Sequence, residues 1–376
     1  MGLTLALIHI PLGIALAIGS AVAAGLFGLQ YTTMRRYTVS NASFLSVIVA
    51  TIIVPPIFVS IMCPGWPQAI QEAGWQANVI MMLCGFGWGL GAITYAYGFN
   101  ILGMALAAAL IKGISIAVGS GYALSKNIEE VEPEALQWTL GGLAILLAGT
   151  ALGGLAGVMR EKEMEPAGGT ENAPKSKTTG MFIIGMLSCL VSGVFSACVA
   201  LGWTEGQPVS DAMTKIAGEG LETWKADFVR WIPIYFGGFL SIFIFMGGAM
   251  IQSGAWRNFS APGSGRDFTV ASSMGAVHFC AHLTFGLSTF FLGAALGDSV
   301  GFALHIALAL LVAAGIGFYN GEWATASKKA TTWIGASIVV LILAVVVLAY
   351  GTFVQSQQES GSGPESPAVE AETSES

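Results

Sequence analysis

Charged residues are scarce in this chain of 376 residues, since Lys, Arg, Asp and Glu together make up only 10% of it. Soluble globular domains carry about 25% of their residues as charge. With 54% hydrophobic residues and a mean hydropathy of +0.72, the chain has too few polar side chains to cover a water-exposed surface. The composition therefore excludes an ordinary soluble domain and predicts an all-α polytopic membrane protein.

Cysteine is also sparse, and its spacing excludes two common uses. No C-x-x-C pair occurs, so neither a disulfide framework nor a thiolate metal site is indicated. We expect the cysteines to serve packing. They lie singly in or beside apolar stretches, at Cys63, Cys84, Cys189, Cys198 and Cys280.

Catalytic signatures are missing as well. The sequence contains no G-x-S-x-G, no phosphate-binding Gly-rich loop and no H-E-x-x-H. We treat the predicted spans as free of carboxylate pairs that could do acid–base chemistry, since the one carboxylate within their bounds, Asp298, lies at the very start of span 9. We therefore expect a protein that is not an enzyme and that uses neither a cofactor nor a metal ion.

Ten apolar runs are long enough to cross a bilayer, for which a helix needs about 20 residues. The N-terminal run lacks the basic segment of a secretory signal, so we expect it to be retained as the first span. The predicted spans 1 to 10 lie at 6–29, 44–63, 79–99, 103–123, 138–158, 180–202, 229–251, 269–290, 295–318 and 332–354.

A charged linker at 159–179 divides the predicted spans into two groups of five. Because five is odd, the second group enters the membrane from the opposite side, which predicts two inverted five-helix repeats, at 1–158 and 180–354. The acidic tail at 355–376 is too polar to pack, so we expect it to be disordered. The loop at 203–228 can form a short interfacial helix.

The distribution of Lys and Arg predicts the orientation of the chain. The loops after spans 1, 5, 7 and 9 contain ten of the 15 basic residues, whereas the opposite loops and helix ends contain four. Cytoplasmic loops carry the excess of Lys and Arg. We therefore expect a multi-pass protein of the plasma (inner) membrane with both termini extracytoplasmic.

Lys112 is the most informative single residue because it lies near the middle of span 4. A Lys at this depth costs about 2.5–3.5 kcal/mol on insertion scales, so it should face a wet cavity or a partner. We predict that it binds substrate or takes part in proton coupling. The alternative is a Lys that is satisfied by carbonyls or hydroxyls of the helix bundle, such as the hydroxyl of Ser115.

Histidines occur in two further spans. His305 lies at a similar depth in span 9, the counterpart of span 4 under a five-plus-five repeat, and an imidazole can take up and release a proton near neutral pH. His278 and His282 lie at i and i+4 in span 8, on one helix face. We predict proton coupling for His305 and cavity lining for His282. Metal ligation by the pair and ordinary core histidines are the alternatives.

Span 3 carries a glycine at every second position from 85 to 91, so two of its faces lack side chains. Such faces allow close approach either of neighbouring helices or of a ligand. If a ligand approaches, span 3 presents Trp88, Thr94 and Tyr95 to a substrate cavity. If only helices approach, the glycines serve packing alone.

Four short segments, in this order, are distributed over most of residues 15–350. They are Arg35-Arg36-Tyr37-Thr38, the glycine-rich run from Gly85 through Trp88 and Gly91 to Tyr95, the run Val191-Ser192-Gly193, and Leu304-His305 followed by Gly321-Glu322-Trp323. Their combined order resembles the L-rhamnose–proton symporter family of the drug/metabolite transporter superfamily. The resemblance implies a fold of two inverted repeats, a central cavity and proton-driven sugar uptake. It also supports Trp88, Tyr95 and His305 as cavity residues.

Differences from the family pattern bear on the substrate. The amide residues of the family's span 3 are replaced by Gly91-Ala92-Ile93-Thr94, and Lys112 occupies what resembles an apolar position. A buried cation favours an anionic substrate, so a sugar acid is a candidate beside a 6-deoxyhexose such as L-rhamnose. Ser288 stands where the family places polar residues in span 8, and we include it among the substrate-binding candidates.

We therefore predict a secondary transporter that couples the symport of a sugar to protons by alternating access. The expected partners are a small-molecule substrate, protons and the lipid bilayer, without nucleic acid, and the chain would be a monomer or homodimer. The alternatives are an exporter of a small amphiphilic metabolite, a membrane receptor or assembly subunit without transport, and a membrane-embedded enzyme that uses the His pair.

Overall fold

The computed structural model describes residues 2–29, 33–164 and 179–361, and these ranges contain no strand. They hold ten helices that are long and apolar enough to cross a membrane, which confirms the predicted all-α polytopic class. We label these helices α1 to α10, in the order of the predicted spans. Their bounds are α1 Gly2–Leu29, α2 Val39–Met62 (with a π-helical turn at Val49–Ile53), α3 Gly74–Leu102, α4 Met104–Lys126, α5 Pro133–Met164, α6 Thr179–Thr204, α7 Trp231–Ser253, α8 Ser264–Phe291, α9 Gly297–Tyr319 and α10 Lys328–Gly361.

The helices differ from the predicted spans at several ends, and most at the C-terminal ends of α5 and α10, which continue through Met164 and Gly361. The end of α10 is held by Gln355, whose side-chain amide donates to the carbonyl oxygen of Glu130 (3.0 Å). Its side-chain oxygen accepts a bond from the backbone N–H of Glu132 (2.9 Å). The rest of the predicted linker and tail lies outside the described residues.

The predicted interfacial helix between α6 and α7 is present, and it spans Gln207–Ala217. Its apolar side chains Val209 and Met213 are buried, whereas Asp211 and Lys215 are exposed on the other side. A second short helix, Thr223–Ala226, leads towards α7. Together these helices bring polar side chains close to the ends of α6 and α7.

The helices pack in pairs that correspond between the two predicted repeats. α1 contacts α8 and α9, and in the same way α6 contacts α3 and α4. α2 contacts α8 as α7 contacts α3, and α4 contacts α5 as α9 contacts α10. In addition, α4 packs on α9 and α5 on α10. Exchanging helices 1–5 with helices 6–10 maps the first eight of these contacts onto one another and leaves the α4–α9 and α5–α10 contacts unchanged. This symmetry supports the inverted repeats; the division itself stays a prediction.

The glycines of α3 lie where this helix crosses α6 and α7. A Cβ atom added to Gly85 would overlap the carbonyl oxygen of Ile234 in α7. A Cβ atom added to Gly91 would come within 2.9 Å of the backbone nitrogen of Ser196 in α6. Both glycine faces of α3 therefore allow close helix packing, and this packing brings Trp88 against α7, next to Gly238.

We expect Gly85→Ala to impair folding severely, because its new methyl group meets backbone rather than a movable side chain. Overpacking a well-packed core costs about 1–3 kcal/mol or more. The measurement is the yield of monodisperse protein in detergent and its thermal unfolding temperature. Gly248→Ala, in α7, is the matched control, since no described atom beyond the adjacent turns of α7 lies within 4 Å of the added Cβ. Equal stability of the two variants would contradict this account of the α3–α7 crossing.

The loop between α1 and α2 is fixed by Asp267, a buried residue in the first turn of α8. Its Oδ2 atom accepts hydrogen bonds from the backbone N–H groups of Arg35 (3.0 Å), Arg36 (2.5 Å) and Tyr37 (2.9 Å). Such charge-assisted bonds are stronger than neutral ones. They join the first predicted repeat to the second. Burial and the nearby Asp267 charge raise the pKa of Tyr37.

The cysteines of the described residues are all free, as the spacing predicted. Cys63, just after α2, is fully buried, and its thiol donates to the carbonyl oxygen of Lys225 (3.0 Å). Burial raises the pKa of this thiol to about 12. Since the thiolate is the reactive form, Cys63 serves packing rather than chemistry.

Candidate functional site

A continuous cluster of aromatic rings and histidines lies between α3, α7 and α8. Trp88 of α3 stacks on His278 of α8, with 5.7 Å between centroids and 7° between planes, and meets His282 at 5.2 Å. Trp231 of α7 stacks on His282 at 5.1 Å, and Tyr235 lies 5.0 Å from Trp231. We call these five residues the aromatic–histidine cluster. It contains side chains from both predicted repeats.

Helical spacing explains why this cluster forms. Trp231 and Tyr235 are separated by four residues, as are His278 and His282, so each pair occupies one face of its helix. The Tyr235 hydroxyl lies 2.9 Å from Nδ1 of His282, which pairs two buried polar groups across α7 and α8. The rings fit between the helices because glycines bring α3 and α7 close together.

Phe285 of α8 extends the cluster towards α9. Its ring centroid lies 5.8 Å from that of Trp203, 6.2 Å from that of Trp231 and 5.6 Å from that of His305. The side chain is buried. His305 is therefore one aromatic ring away from the cluster.

His305 is oriented by Ser20 of α1. The Ser20 hydroxyl donates to the carbonyl oxygen of Ala281 (2.6 Å), and its Oγ lies 2.7 Å from Nδ1 of His305. Because a hydroxyl has one proton and the carbonyl takes it, Nδ1–H of His305 must donate to Oγ. This tautomer leaves Nε2 with the lone pair, so Nε2 is the atom of His305 that can accept a proton.

Lys112 lies near enough to His305 for the two charges to interact. Lys112 is eight residues from the start of α4 (112 − 104), and His305 is eight residues from the start of α9 (305 − 297). The two residues therefore occupy equivalent positions in the two predicted repeats. Within the described part of the chain Lys112 forms no hydrogen bond or ion pair, with Ser115 or any other residue.

Three other predicted site residues contact different parts of the protein. Tyr95 lies two turns from Trp88 on α3 and packs with the buried group of Ala107, Ile111 and Cys189. Thr94 donates to the carbonyl oxygen of Leu90 in its own helix (3.1 Å). Ser288 is fully buried and donates to the carbonyl oxygen of Gly13 (2.8 Å), which joins α8 to α1. None of these contacts reaches the aromatic–histidine cluster, so their roles in binding stay predictions.

A polar cavity of about 890 Å³ lies at the end of the helices that carries the α4–α5, α6–α7 and α8–α9 loops. Asp227 and Arg230, just before α7, form a buried ion pair in its wall (2.6 Å). Asp298, in the first turn of α9, also lines the cavity. Carboxylates thus occur at these helix ends, where Arg230 and hydrogen bonds compensate the burial.

Trp203, at the end of α6, separates this cavity from the aromatic–histidine cluster. Its Nε1 donates to Oδ1 of Asp298 (3.0 Å) and to Oγ1 of Thr289 (3.1 Å), two residues that line the cavity. The guanidinium of Arg230 lies over its ring, 4.9 Å from the centroid. On the other side, its ring centroid is 4.8 Å from that of Trp231. The polar cavity therefore ends at Trp203.

A second cavity, of about 620 Å³, lies at the opposite end, between α4, α5, α9 and α10. Its lining is mostly alanine, glycine and aliphatic side chains. Arg160 and Glu322 form an ion pair across it (3.0 Å), and the Arg160 guanidinium lies 5.2 Å from the Trp323 ring centroid. The two cavities thus approach the central region from opposite ends of the helices.

Sequence reasoning missed several residues of this arrangement. In the sequence, Trp231 and Tyr235 resemble ordinary apolar residues of span 7, and Trp203 is the first residue of the loop after span 6. The i, i+3 spacing of Asp227 and Arg230 just before an apolar run was a signal for the buried pair. Ser20 gave a weaker signal, as an isolated hydroxyl in an apolar span.

Comparison with known proteins extends over nearly the whole chain. Curated relatives include the L-rhamnose-proton symporters of Citrobacter koseri, Escherichia coli strain K12/DH10B and Klebsiella pneumoniae subsp. pneumoniae. Each is 22% identical to this chain, over 91% of the chain and 98% of the relative. A family model described as L-rhamnose-proton symport protein (RhaT) matches residues 7–354 and thus reaches into all ten helices. The chain therefore belongs to the L-rhamnose-proton symport protein family.

Proposed function

We propose that this protein is a secondary transporter of the plasma (inner) membrane that couples the symport of a sugar to protons. The observation that carries the proposal is the position of His305, which lies one aromatic ring from the aromatic–histidine cluster and within electrostatic range of Lys112, where the two predicted repeats meet. Family membership favours symport over the exporter, receptor and enzyme alternatives. Because the relatives are L-rhamnose-proton symporters, L-rhamnose is the first substrate to test.

The aromatic–histidine cluster has the chemistry that a sugar site needs. Aromatic rings pack against the apolar faces of a sugar ring, while indole N–H and phenol O–H groups bond its hydroxyls. Trp88, Trp231 and Tyr235 combine both properties. The imidazole of His282 adds a further polar group. We therefore place the substrate between α3, α7 and α8.

Proton coupling is assigned to His305 and Lys112. Ser20 holds His305 in the tautomer whose Nε2 accepts the proton. A protonated His305 beside a charged Lys112 places two positive charges together, and like charges at short range disfavour each other. Binding of electronegative substrate oxygens relieves this repulsion, so substrate and proton favour each other's binding. This reciprocity is what symport requires.

Alternating access follows from the two cavities. With both termini extracytoplasmic, the polar cavity opens to the outside and the second cavity to the cytoplasm. Movement of one five-helix repeat against the other would close one cavity and extend the other to the centre. Trp203 and the Arg160–Glu322 pair lie where these closures are needed. The functional unit is a monomer or a homodimer.

Uptake of labelled L-rhamnose into proteoliposomes tests the proposal. We expect accumulation above the external concentration only when the interior is made alkaline, with competition by related sugars. Gradient-driven uptake of a sugar acid instead of L-rhamnose would support the proposed proton coupling and replace L-rhamnose as the proposed substrate. Absence of flux for every sugar and sugar acid tested would contradict the proposal.

A further inference from the structure

Trp231 has a polar group that the fold does not use. Its side chain is fully buried in the aromatic–histidine cluster, yet no described residue accepts a hydrogen bond from its Nε1–H. Buried N–H groups in native proteins are nearly always paired, because an unpaired donor loses its bonds to water without compensation. Such a buried, unpaired donor calls for a partner that the resting fold does not supply.

The neighbouring indole shows that the region can pair such a donor. Trp203 is equally buried, and its Nε1 donates both to Thr289 and to Asp298. Only 4.8 Å separates the centroids of the two indole rings. Close packing by itself therefore does not explain why Trp231 lacks an acceptor.

The direction of the Trp231 N–H is fixed by its surroundings. The ring stacks on Tyr235 at 19° and on His282 at 20°, so it cannot turn without breaking both contacts. Trp203 lies between Trp231 and the polar cavity. A solute that passes Trp203 from this cavity reaches Trp231 next.

We propose that Nε1–H of Trp231 donates a hydrogen bond to a hydroxyl oxygen of the transported solute, and that Trp231 is a specificity-determining residue. The inference rests on the proposed function, sugar symport, and adds to it the recognition of one particular hydroxyl. A site that bonds a substrate hydroxyl rejects the analogue that lacks it, because its buried donor then remains unpaired. Selection by this residue favours a polyhydroxylated ring over an apolar solute of the same size.

The first test compares Trp231→Phe with Trp203→Phe in the absence of solute. Both substitutions keep an aromatic ring and remove the N–H. We expect Trp231→Phe to lower the thermal unfolding temperature less than Trp203→Phe does, because both variants lose the same buried ring volume but only Trp203→Phe also breaks hydrogen bonds. Trp203→Phe should lower it further, since Thr289 and Asp298 lose their donor. An equal loss in both variants would reveal a structural partner, such as a buried water, and would overturn the proposal.

The second test measures how strongly solutes raise the unfolding temperature, with L-rhamnose and its derivatives deoxygenated at each hydroxyl in turn. Binding to the folded state raises that temperature by an amount that grows with the logarithm of solute concentration over Kd, so titrating each solute gives its affinity. We expect the wild type to bind one derivative at least tenfold more weakly than L-rhamnose. Trp231→Phe should bind L-rhamnose more weakly and reduce that ratio to about twofold. An unchanged ratio at every position would overturn the proposal.

Gradient-driven uptake, run on the same proteins, separates the two claims. Solute binding with the expected loss of discrimination but without proton-driven uptake would count against symport and leave the role of Trp231 intact. Proton-driven uptake with unchanged discrimination would support symport and count against the role of Trp231. If a sugar acid is the solute that binds, its deoxy derivatives replace those of L-rhamnose. If no solute stabilises the protein and no solute crosses the membrane, both claims are overturned.

Discussion

His305→Gln is expected to abolish proton-driven accumulation while solute exchange across the membrane continues. A Gln amide can still donate to Ser20 Oγ, so the contact between α9 and α1 is retained, but it cannot accept a proton at neutral pH. Under an inside-alkaline gradient, the ratio of internal to external solute concentration should fall to about one. The measurement compares gradient-driven uptake with counterflow exchange in the same proteoliposomes. Wild-type accumulation by this variant would rule out His305 as the coupling group.

Two further variants show whether the effect is specific to His305. Ser20→Ala removes the group that selects the Nδ1–H tautomer, so we expect weaker accumulation and a shifted pH profile, with exchange retained. His9→Gln is the matched control, since His9 packs against Phe291 (5.4 Å between centroids) at the start of α1, away from the cluster. It should accumulate solute as the wild type does.

Lys112→Met is expected to reduce exchange of a carboxylated sugar by about 10–100-fold, the equivalent of losing one hydrogen bond to a charged group. Stability should be unchanged or higher, because a charge near the membrane centre costs about 2.5–3.5 kcal/mol. Counterflow and thermal unfolding measure the two effects. Together they would identify Lys112 as a functional rather than a structural cation.

The matched control for Lys112 is Lys126→Met in the same helix. Lys126 pairs with Glu205 (2.7 Å) at the end of α4 and is half-exposed, so its removal should leave exchange unchanged. If Lys112→Met exchanges the carboxylated sugar as fast as the wild type, the anionic-substrate hypothesis is wrong. A neutral sugar such as L-rhamnose would then remain the candidate.

The spans could be predicted from the sequence because hydrophobicity alone decides which segments enter lipid. Their ends could not, because helices continue into water when tertiary contacts hold them. Glu163 illustrates this at the end of α5: its carboxylate accepts hydrogen bonds from the backbone N–H (2.8 Å) and the hydroxyl of Ser327. In α10, the side chain of Gln355 holds the helix end by hydrogen bonds to the backbone of Glu130 and Glu132. No local pattern in the charged segments 159–164 and 355–361 announces these partners.

The candidate site was predicted where a residue is unusual for its surroundings. Lys112, His282 and His305 are polar residues within apolar runs, and that contrast is visible in the sequence. Trp231 and Tyr235 are not unusual in an apolar helix, and only the crossing of α7 with α3 and α8 gives them their significance.

For Thr94 and Ser288 the sequence leaves the hydrogen-bond partner open. Both residues are polar within apolar spans, Thr94 in the glycine-rich span 3 and Ser288 in the stretch of span 8 compared with the family pattern. Their hydroxyls bond to main-chain carbonyls, which is the ordinary way to satisfy a hydroxyl inside a helix bundle. The sequence does not reveal whether a carbonyl or a ligand receives the bond.

Solute-induced proton movement tests the central claim most directly. Proteoliposomes without an imposed gradient are placed in a weakly buffered medium, and L-rhamnose or the sugar acid found in the uptake experiment is added outside. Our account predicts that the external medium becomes alkaline as solute and protons enter together, and that His305→Gln removes this signal. Solute entry at an undiminished rate without any change in external pH would contradict proton-coupled symport.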